Sequence, residues 1–268
     1  MKKLTNLSLI KDQYDTFIID LWGVMHNGIE LNKSAIEAVE KLILNKKKVV
    51  FLSNAPRPVA DVVKFLKKLK MEEKHMQNIV TSGQAAMEAL QSNSFGKNYY
   101  HLGPEKDNSI FSKIKINKTE LEKSEFIVCT GLLENKMNNL DFYKKILINQ
   151  TSKKLICTNP DLIVERGKKK EYCAGMIAKI FEELGGEVVY FGKPYKEIYQ
   201  MCFSKNDKVI AVGDNLRTDI KGANNMKIDS IFIGGGIHSE EFKNEKELYL
   251  LEKKYKVKLS FFQEYFHW

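Results

Sequence analysis

The sequence has few of the features that mark secreted or membrane proteins. Its four cysteines form no C-x-x-C pair and lie in or beside apolar runs, where a buried, reduced thiol is the usual state. No apolar run approaches the roughly 18 residues that a membrane-spanning helix needs. The N-terminal segment also lacks the apolar core and small-residue cleavage site of a signal peptide. We therefore expect a cytoplasmic protein that does not interact with membranes.

Arginine is nearly absent from an otherwise basic chain. The net charge is +9, from 43 basic and 34 acidic residues, yet arginine occurs only as Arg57, Arg166 and Arg217. The lysines are scattered and no nucleic-acid-binding motif appears, so we expect no nucleic-acid partner. A guanidinium binds phosphate or carboxylate through two parallel hydrogen bonds, which lysine does not reproduce. The three arginines are therefore candidate functional residues.

Short β-branched and aromatic runs alternate with segments of helical periodicity along the whole chain. This alternation predicts an α/β fold with a parallel sheet, and a hydrophobic content of 43% is enough for a packed core. The same alternation between residues 81 and 186 predicts an inserted α/β domain with its own small sheet. Residues 1–80 and 187–268 then form a discontinuous core, to which the strand predicted at 187–191 returns.

Polar residues follow several of the predicted buried strands. The apolar run Thr16–Ile19 ends at Asp20, and later runs end at Ser53-Asn54, at Lys193 and at Asp214. Open α/β sheets bind their ligands beyond the carboxyl ends of the strands. We therefore expect these side chains to meet at one edge of one sheet.

These residue types suit the transfer of a phosphoryl group. Asp20 is the candidate nucleophile, and Lys193 offers a positive charge for the transferred phosphate. Asp20 and Asp214 supply the oxygen ligands that Mg²⁺ prefers, and Asp219 is placed to orient a metal-bound water. A structural alternative stays open for each: a capping carboxylate for Asp20, a surface lysine for Lys193, and an acid in the first turn of a helix for Asp219.

The donors that would bind the phosphate itself come from the second of these strand ends. Ser53 offers a hydroxyl, and the backbone amides near Asn54 offer further hydrogen-bond donors. A simple turn cap is the alternative role of Ser53.

Together these motifs resemble the haloacid dehalogenase (HAD) superfamily, in particular its class IIA branch, which carries a large cap between the second and third motifs. The resemblance covers nearly the whole chain and rests on Asp20 with Gly23-Val24, on Ser53-Asn54, on GKP at 192–194, on GDNLRTD at 213–219, and on TSG at 81–83, TNPD at 158–161 and YFGKPY at 190–195. It implies a Rossmann-like core with an inserted cap and a Mg²⁺-dependent phosphatase of a small phosphorylated metabolite, a sugar phosphate or a nucleotide. It further implies an aspartyl-phosphate on Asp20, the roles given above, and the backbone carbonyl of Trp22 as a metal ligand.

The sequence departs from this family at Trp22, where HAD phosphatases usually carry a second aspartate as general acid and base. Indole does neither at neutral pH, and such catalysis is worth about 10²–10⁴-fold in rate. Three explanations are open: a substrate with a good leaving group, such as an acyl phosphate; a substitute acid, for which His26 is the nearby candidate; or a weakened phosphatase that only binds a phosphorylated ligand. A structural role in the flap predicted at 23–31 is the alternative for His26.

The inserted domain should select the substrate. Asn159, Asp161 and Arg166 are the residues expected over the site, where Arg166 would bind a carboxylate or a second phosphate, or else form an exposed ion pair. Arg57 and Arg217 are expected to brace the catalytic loops. Dehalogenation is a further alternative, although a halide leaving group does not need the metal ligands. The aromatic C-terminal tail is expected to pack on the core, with a homodimer contact as the alternative.

Overall fold

The computed structural model describes residues 1–167 and 169–268 and shows an α/β protein built on two parallel sheets. The strands are β1 (Lys2–Lys3), β2 (Thr16–Ile19), β3 (Lys48–Ser53), β4 (Ile79–Thr81), β5 (Asn98–Leu102), β6 (Asn117–Lys118), β7 (Phe126–Cys129), β8 (Lys154–Cys157), β9 (Ile163–Arg166), β10 (Lys169–Tyr172), β11 (Glu187–Tyr190), β12 (Val209–Gly213), β13 (Asp229–Ile233) and β14 (Phe261–Gln263). The α-helices are α1 (Lys33–Leu44), α2 (Val59–Lys68), α3 (Ser82–Leu90), α4 (Leu140–Leu147), α5 (Ala174–Glu183), α6 (Lys196–Gln200), α7 (Lys221–Met226) and α8 (Glu245–Tyr255), and a π-helical turn spans Leu216–Ile220.

The first sheet has the order β1-β14-β13-β12-β2-β3-β4, and all of its strand pairs are parallel. Its interior strand β2 is buried at every position, as its apolar and β-branched sequence predicts. The register sets Ile19 beside Val212 of β12 on one side and beside Phe51 of β3 on the other. The predicted α/β fold with a parallel sheet is confirmed, and three polar strand ends become neighbours.

The second sheet has the order β11-β8-β7-β5-β6 and is also parallel throughout. The prediction that residues 187–191 return to the core sheet is wrong, because β11 pairs with β8 in the second sheet. Helix α5 and the short turn after it lead the chain back beside β8, where Val188 and Tyr190 pack on the buried face of α5 and its neighbours. A core boundary at 187 therefore has to move to about 191; the division of the chain into two domains stays a prediction.

A β-hairpin of β9 and β10 stands apart from both sheets. The sequence predicts a helix from Glu171, but residues 169–172 pair with β9, and α5 begins only at Ala174. The pairing partner of such a short, polar segment is set by tertiary contacts rather than by its own periodicity.

The aromatic tail completes the first sheet. Residues 261–263 form β14 beside β13, Phe266 is fully buried in the main core, and Trp268 packs against that core. This confirms the expected packing, while the homodimer stays a prediction. All four cysteines are buried and free. Within the described ranges, no helix combines the length and the apolar character that crossing a bilayer requires.

Candidate active site

A cavity of about 800 Å³ lies between the carboxyl ends of the two sheets. The first sheet contributes the ends of β2, β3 and β12, and the second contributes the segments that follow β5, β7 and β8. Hairpin β9–β10 forms a further wall. The structure thereby brings together the polar strand ends that the sequence singles out.

Lys193 is the centre of the buried charge cluster. Its Nζ donates to Oδ1 of Asp20 at 2.5 Å and to Oδ1 of Asp219 at 2.7 Å, and all three side chains are at most 7% exposed. Burial by itself lowers the pKa of Lys193, but the two carboxylates raise it well above its ordinary value. Lys193 is therefore a permanent cation beside the candidate nucleophile.

Three carboxylates converge on this point. One oxygen from each of Asp20, Asp214 and Asp219 lies within 4.8 Å of the others. Burial is the largest cause that raises the pKa of Asp20, and the same effect, together with the negative charge of Asp219, raises the pKa of Asp214 to about 7. A single lysine does not balance three carboxylates, so the cluster has the charge and the oxygen donors that suit a divalent cation.

The three carboxylates differ in how the protein holds them. Both oxygens of Asp219 accept hydrogen bonds, Oδ1 from Lys193 and Oδ2 from the backbone N–H of Asn215 at 3.1 Å. Oδ2 of Asp214 accepts the N–H of Ile237 at 2.8 Å, and its Oδ1 accepts no hydrogen bond from the described residues. This difference supports a direct metal contact for Asp214 and a more indirect role for Asp219.

Gly23 explains how Asp214 fits under the loop that follows β2. A Cβ atom at this position would lie 2.2 Å from Oδ2 of Asp214, and the residue has φ +95°. Only glycine meets both demands without strain. Gly236 packs on the same carboxylate, because a Cβ atom at residue 236 would lie 2.1 Å from Oδ2 of Asp214.

Ser53 and Asn54 have different roles in the structure. The Ser53 hydroxyl accepts the N–H of Ala55 at 3.2 Å, so its own proton is available to a bound oxyanion. The Asn54 amide instead clamps the backbone of Lys193: Oδ1 accepts its N–H at 2.7 Å, and Nδ2 donates to its carbonyl at 3.2 Å. Asn54 therefore positions Lys193 with its side chain.

Trp22 joins the loop after β2 to hairpin β9–β10. Its Nε1–H donates to the carbonyl oxygen of Glu165 at 2.8 Å, and the Arg166 guanidinium lies 4.8 Å from its ring centroid. The ring of Phe65 is parallel to the indole, with 6.4 Å between the ring centroids. Trp22 thus connects two parts of the cavity wall.

His26 lies against this tryptophan and is buried. Burial, and then the nearby Arg166 charge, lower the pKa of His26 to about 4, so the imidazole is neutral at pH 7. Its Nδ1 accepts the N–H of Gly28 at 3.1 Å. A neutral ring held in this way is a weak proton donor, which disfavours His26 as the substitute acid; that role stays an untested prediction.

The predicted substrate residues Asn159, Asp161 and Arg166 all line the cavity. Oδ1 of Asp161 accepts a hydrogen bond from Nδ2 of Asn215 at 3.3 Å, and burial raises the pKa of Asp161 to about 6. Arg166 faces Glu171 with 3.4 Å between Nε and Oε2. These three residues therefore surround the same space as the charge cluster.

The other two arginines serve the surrounding loops. Nε of Arg57 donates to Oδ1 of the buried Asp107 at 2.5 Å and so ties the loop after β3 to the segment after β5. The guanidinium carbon of Arg217 lies 4.8 Å from the ring centroid of Tyr255.

Phe65 and Asp107 also line the cavity, but the sequence analysis does not identify them as site residues. Phe65 belongs to an ordinary apolar helix face, and Asp107 lies in a segment without a motif, so the sequence has no signal for either.

Two family models match most of the segments that build this site. The family described as "Haloacid dehalogenase-like hydrolase" matches residues 17–117, and the family described as HAD-hydrolase-like matches residues 190–251. The first contains Asp20 and Ser53, and the second contains Lys193 and both later aspartates.

The similarity to known proteins covers nearly the whole chain. An acid sugar phosphatase of Staphylococcus haemolyticus is 25% identical over 246 residues, which cover 87% of this chain and 90% of the relative. The 5'-nucleotidase YutF of Bacillus subtilis is 23% identical over 239 residues, with 85% and 90% covered. The crystal structure of a haloacid dehalogenase-like hydrolase from Brucella suis 1330 superimposes with a TM-score of 0.86 at 26% identity, and 99% of both chains is covered.

Proposed function

Because the chain belongs to the haloacid dehalogenase-like hydrolases, we propose that it is a Mg²⁺-dependent phosphatase of a small phosphorylated metabolite, a sugar phosphate or a nucleotide. The observation that carries this proposal is the buried cluster in which Lys193 contacts Asp20 and Asp219 while Asp214 completes a set of three carboxylates. A cytoplasmic location and the absence of nucleic-acid and membrane partners stay predictions.

The residues present fit a bound Mg²⁺. Asp20 and Asp214 each offer an oxygen atom to the cluster, and burial, together with the neighbouring carboxylates, raises the pKa of both. The backbone carbonyl of Trp22 would add a third ligand, and Asp219 would orient a water molecule. When bound, the ion neutralises the repulsion between the phosphate and the carboxylates.

Asp20 attacks the phosphorus of the substrate, and the bond between phosphorus and the ester oxygen breaks. The product is an aspartyl-phosphate, from which water then releases inorganic phosphate and restores the carboxylate. Lys193 and the Ser53 hydroxyl stabilise the charge on the phosphoryl oxygens in both steps. Asn54 keeps Lys193 in place through its two hydrogen bonds to the backbone.

Trp22 limits which esters are cleaved quickly. Its indole N–H is bonded to Glu165, and an indole has no proton to exchange at neutral pH. The leaving oxygen must then depart without strong acid help, which costs about 10²–10⁴-fold in rate for an alcohol. Substrates whose leaving group is stable as an anion, such as acyl or aryl phosphates, lose least.

The same tryptophan favours a second candidate function, a protein that binds a phosphorylated ligand and turns it over slowly. Its cavity would be the same, and the charge cluster would serve affinity rather than catalysis. Dehalogenation has less support, because a halide leaving group gives no use to the extra carboxylates Asp214 and Asp219.

Phosphate release from sugar phosphates, nucleoside monophosphates, acyl phosphates and p-nitrophenyl phosphate tests the proposal. We expect release that requires Mg²⁺, stops with a chelator and falls at least 10³-fold in Asp20→Asn, because the nucleophile is lost. Ser124→Ala, a change in the segment before β7 and outside the cavity lining, is the control. Binding of these esters without release from any of them would favour the second function.

A further inference from the structure

Arg166 and Asp20 line the same cavity. The side chain of Arg166 is 39% exposed, and Glu171, at 3.4 Å from Nε, is its one carboxylate partner among the described residues. The two Nη groups face no acceptor within that part of the chain. Arg166 therefore has donors available for a ligand.

The ring of Trp22 lies against the guanidinium of Arg166. The indole lies 4.8 Å below the guanidinium carbon, and its own N–H is bonded to the carbonyl of the neighbouring Glu165. Stacking on an aromatic face orients a guanidinium with its N–H edge outward, where it matches a planar carboxylate. The aromatic residue that replaces the acid thus supplies a platform for the arginine.

The separation between this platform and the nucleophile suits a small molecule. The Cα atoms of residues 20 and 22 are at most about 7 Å apart even in an extended chain. Both side chains line the same cavity of about 800 Å³. A ligand with a phosphate on Asp20 and a second group a few bonds away would reach Arg166.

The local charge favours a monoanionic second group. Glu171 already offsets part of the charge of Arg166, and Glu165 lies next to it in the chain. A single guanidinium in such surroundings suits one negative charge with two oxygens better than a dianionic phosphate.

We propose that Arg166, next to the ring of Trp22, binds a carboxylate in the leaving group of the substrate, so that phosphate esters of small hydroxy acids are preferred over alkyl phosphates that lack a carboxylate. This inference rests on the proposed phosphatase function and adds the chemical class of the substrate. It also gives position 22 a role in recognition where the family has a role in proton transfer.

Two probes with the same arrangement at C2 differ only at the proposed contact: 3-phospho-D-glycerate has a carboxylate where sn-glycerol 1-phosphate has a hydroxymethyl group. We expect kcat/KM to be about 10–100-fold higher for the first, since hydrogen bonds between ions are worth that much. In Arg166→Gln this ratio should fall to about one, mainly through a higher KM for the phosphoglycerate. Arg166→Lys should restore the ratio only in part, because lysine does not form the paired hydrogen bonds.

Lys169→Gln is the matched control. Lys169 pairs with Arg166 across the same hairpin but is exposed and outside the cavity lining, so its loss removes the same charge without removing the contact. A wild-type ratio near one, or a ratio that Arg166→Gln leaves unchanged, overturns the inference. Hydrolysis of p-nitrophenyl phosphate distinguishes failure of the carboxylate preference from failure of the phosphatase function. If this ester is hydrolysed, the phosphatase function is supported whatever the ratio shows. If it is not hydrolysed, the proposed function itself fails.

Discussion

Replacing Trp22 with phenylalanine isolates the contact between the loop after β2 and hairpin β9–β10. Phenylalanine keeps an aromatic ring beside Phe65 but loses the Nε1–H bond to Glu165 and offers Arg166 a weaker platform. A net hydrogen bond is worth about 0.5–1.5 kcal/mol, and a partial loss of the cation–π contact adds a few tenths. We expect the hairpin to open more easily by about 1–2 kcal/mol, which is about 5–30-fold in the opening equilibrium.

Amide hydrogen exchange measures this opening directly. Peptides that cover residues 163–172 should exchange about 5–30-fold faster in Trp22→Phe than in the wild type, while the amides of β2 should not change. Trp268→Phe is the matched control, because Trp268 also has a cation near its ring, Lys41 at 5.9 Å, but packs on the main core and does not line the cavity. Equal exchange of the hairpin in both variants and the wild type would refute the assignment of Trp22 as its anchor.

Two further predictions concern Asp214. Gly23→Ala should weaken Mg²⁺ binding and lower activity at least tenfold, because its Cβ would lie 2.2 Å from Oδ2 of Asp214 at a φ of +95°; isothermal titration with Mg²⁺ checks this, and wild-type affinity would contradict it. In the metal-free protein, burial raises the pKa of Asp214 from 3.8 to about 7, which corresponds to about 4 kcal/mol. The carboxyl group therefore binds a proton more tightly in the folded state than in the unfolded state. As a result, the contribution of Asp214 to the free energy of unfolding falls as the pH rises from about 4 to 7. Urea unfolding in chelator at pH 5 and pH 7.5 should show a fall in the wild type that Asp214→Asn reduces, and the same pH dependence in both proteins would show that this carboxylate is not the cause.

The sequence predicts well what depends on local composition. β2 is visible as a buried run, Asp20 is visible as the acid that ends it, and helices α1 and α2 follow from their apolar periodicity. The sequence predicts poorly which strand pairs with which. The valines of β11 suit either sheet, and hairpin β9–β10 has too little apolar surface for a periodic signal, so the pairing of both was missed.

The sequence by itself determined the fold class and the set of charged residues at the strand ends, because parallel strands deliver their carboxyl ends to one edge whatever the details of packing. It also determined that position 22 has no acid. Only the tertiary structure decided what Trp22 does instead, since its partner Glu165 is 143 residues away and Arg166 follows it. Contacts of that kind depend on how a distant hairpin packs over the site, and no local pattern in either segment specifies them.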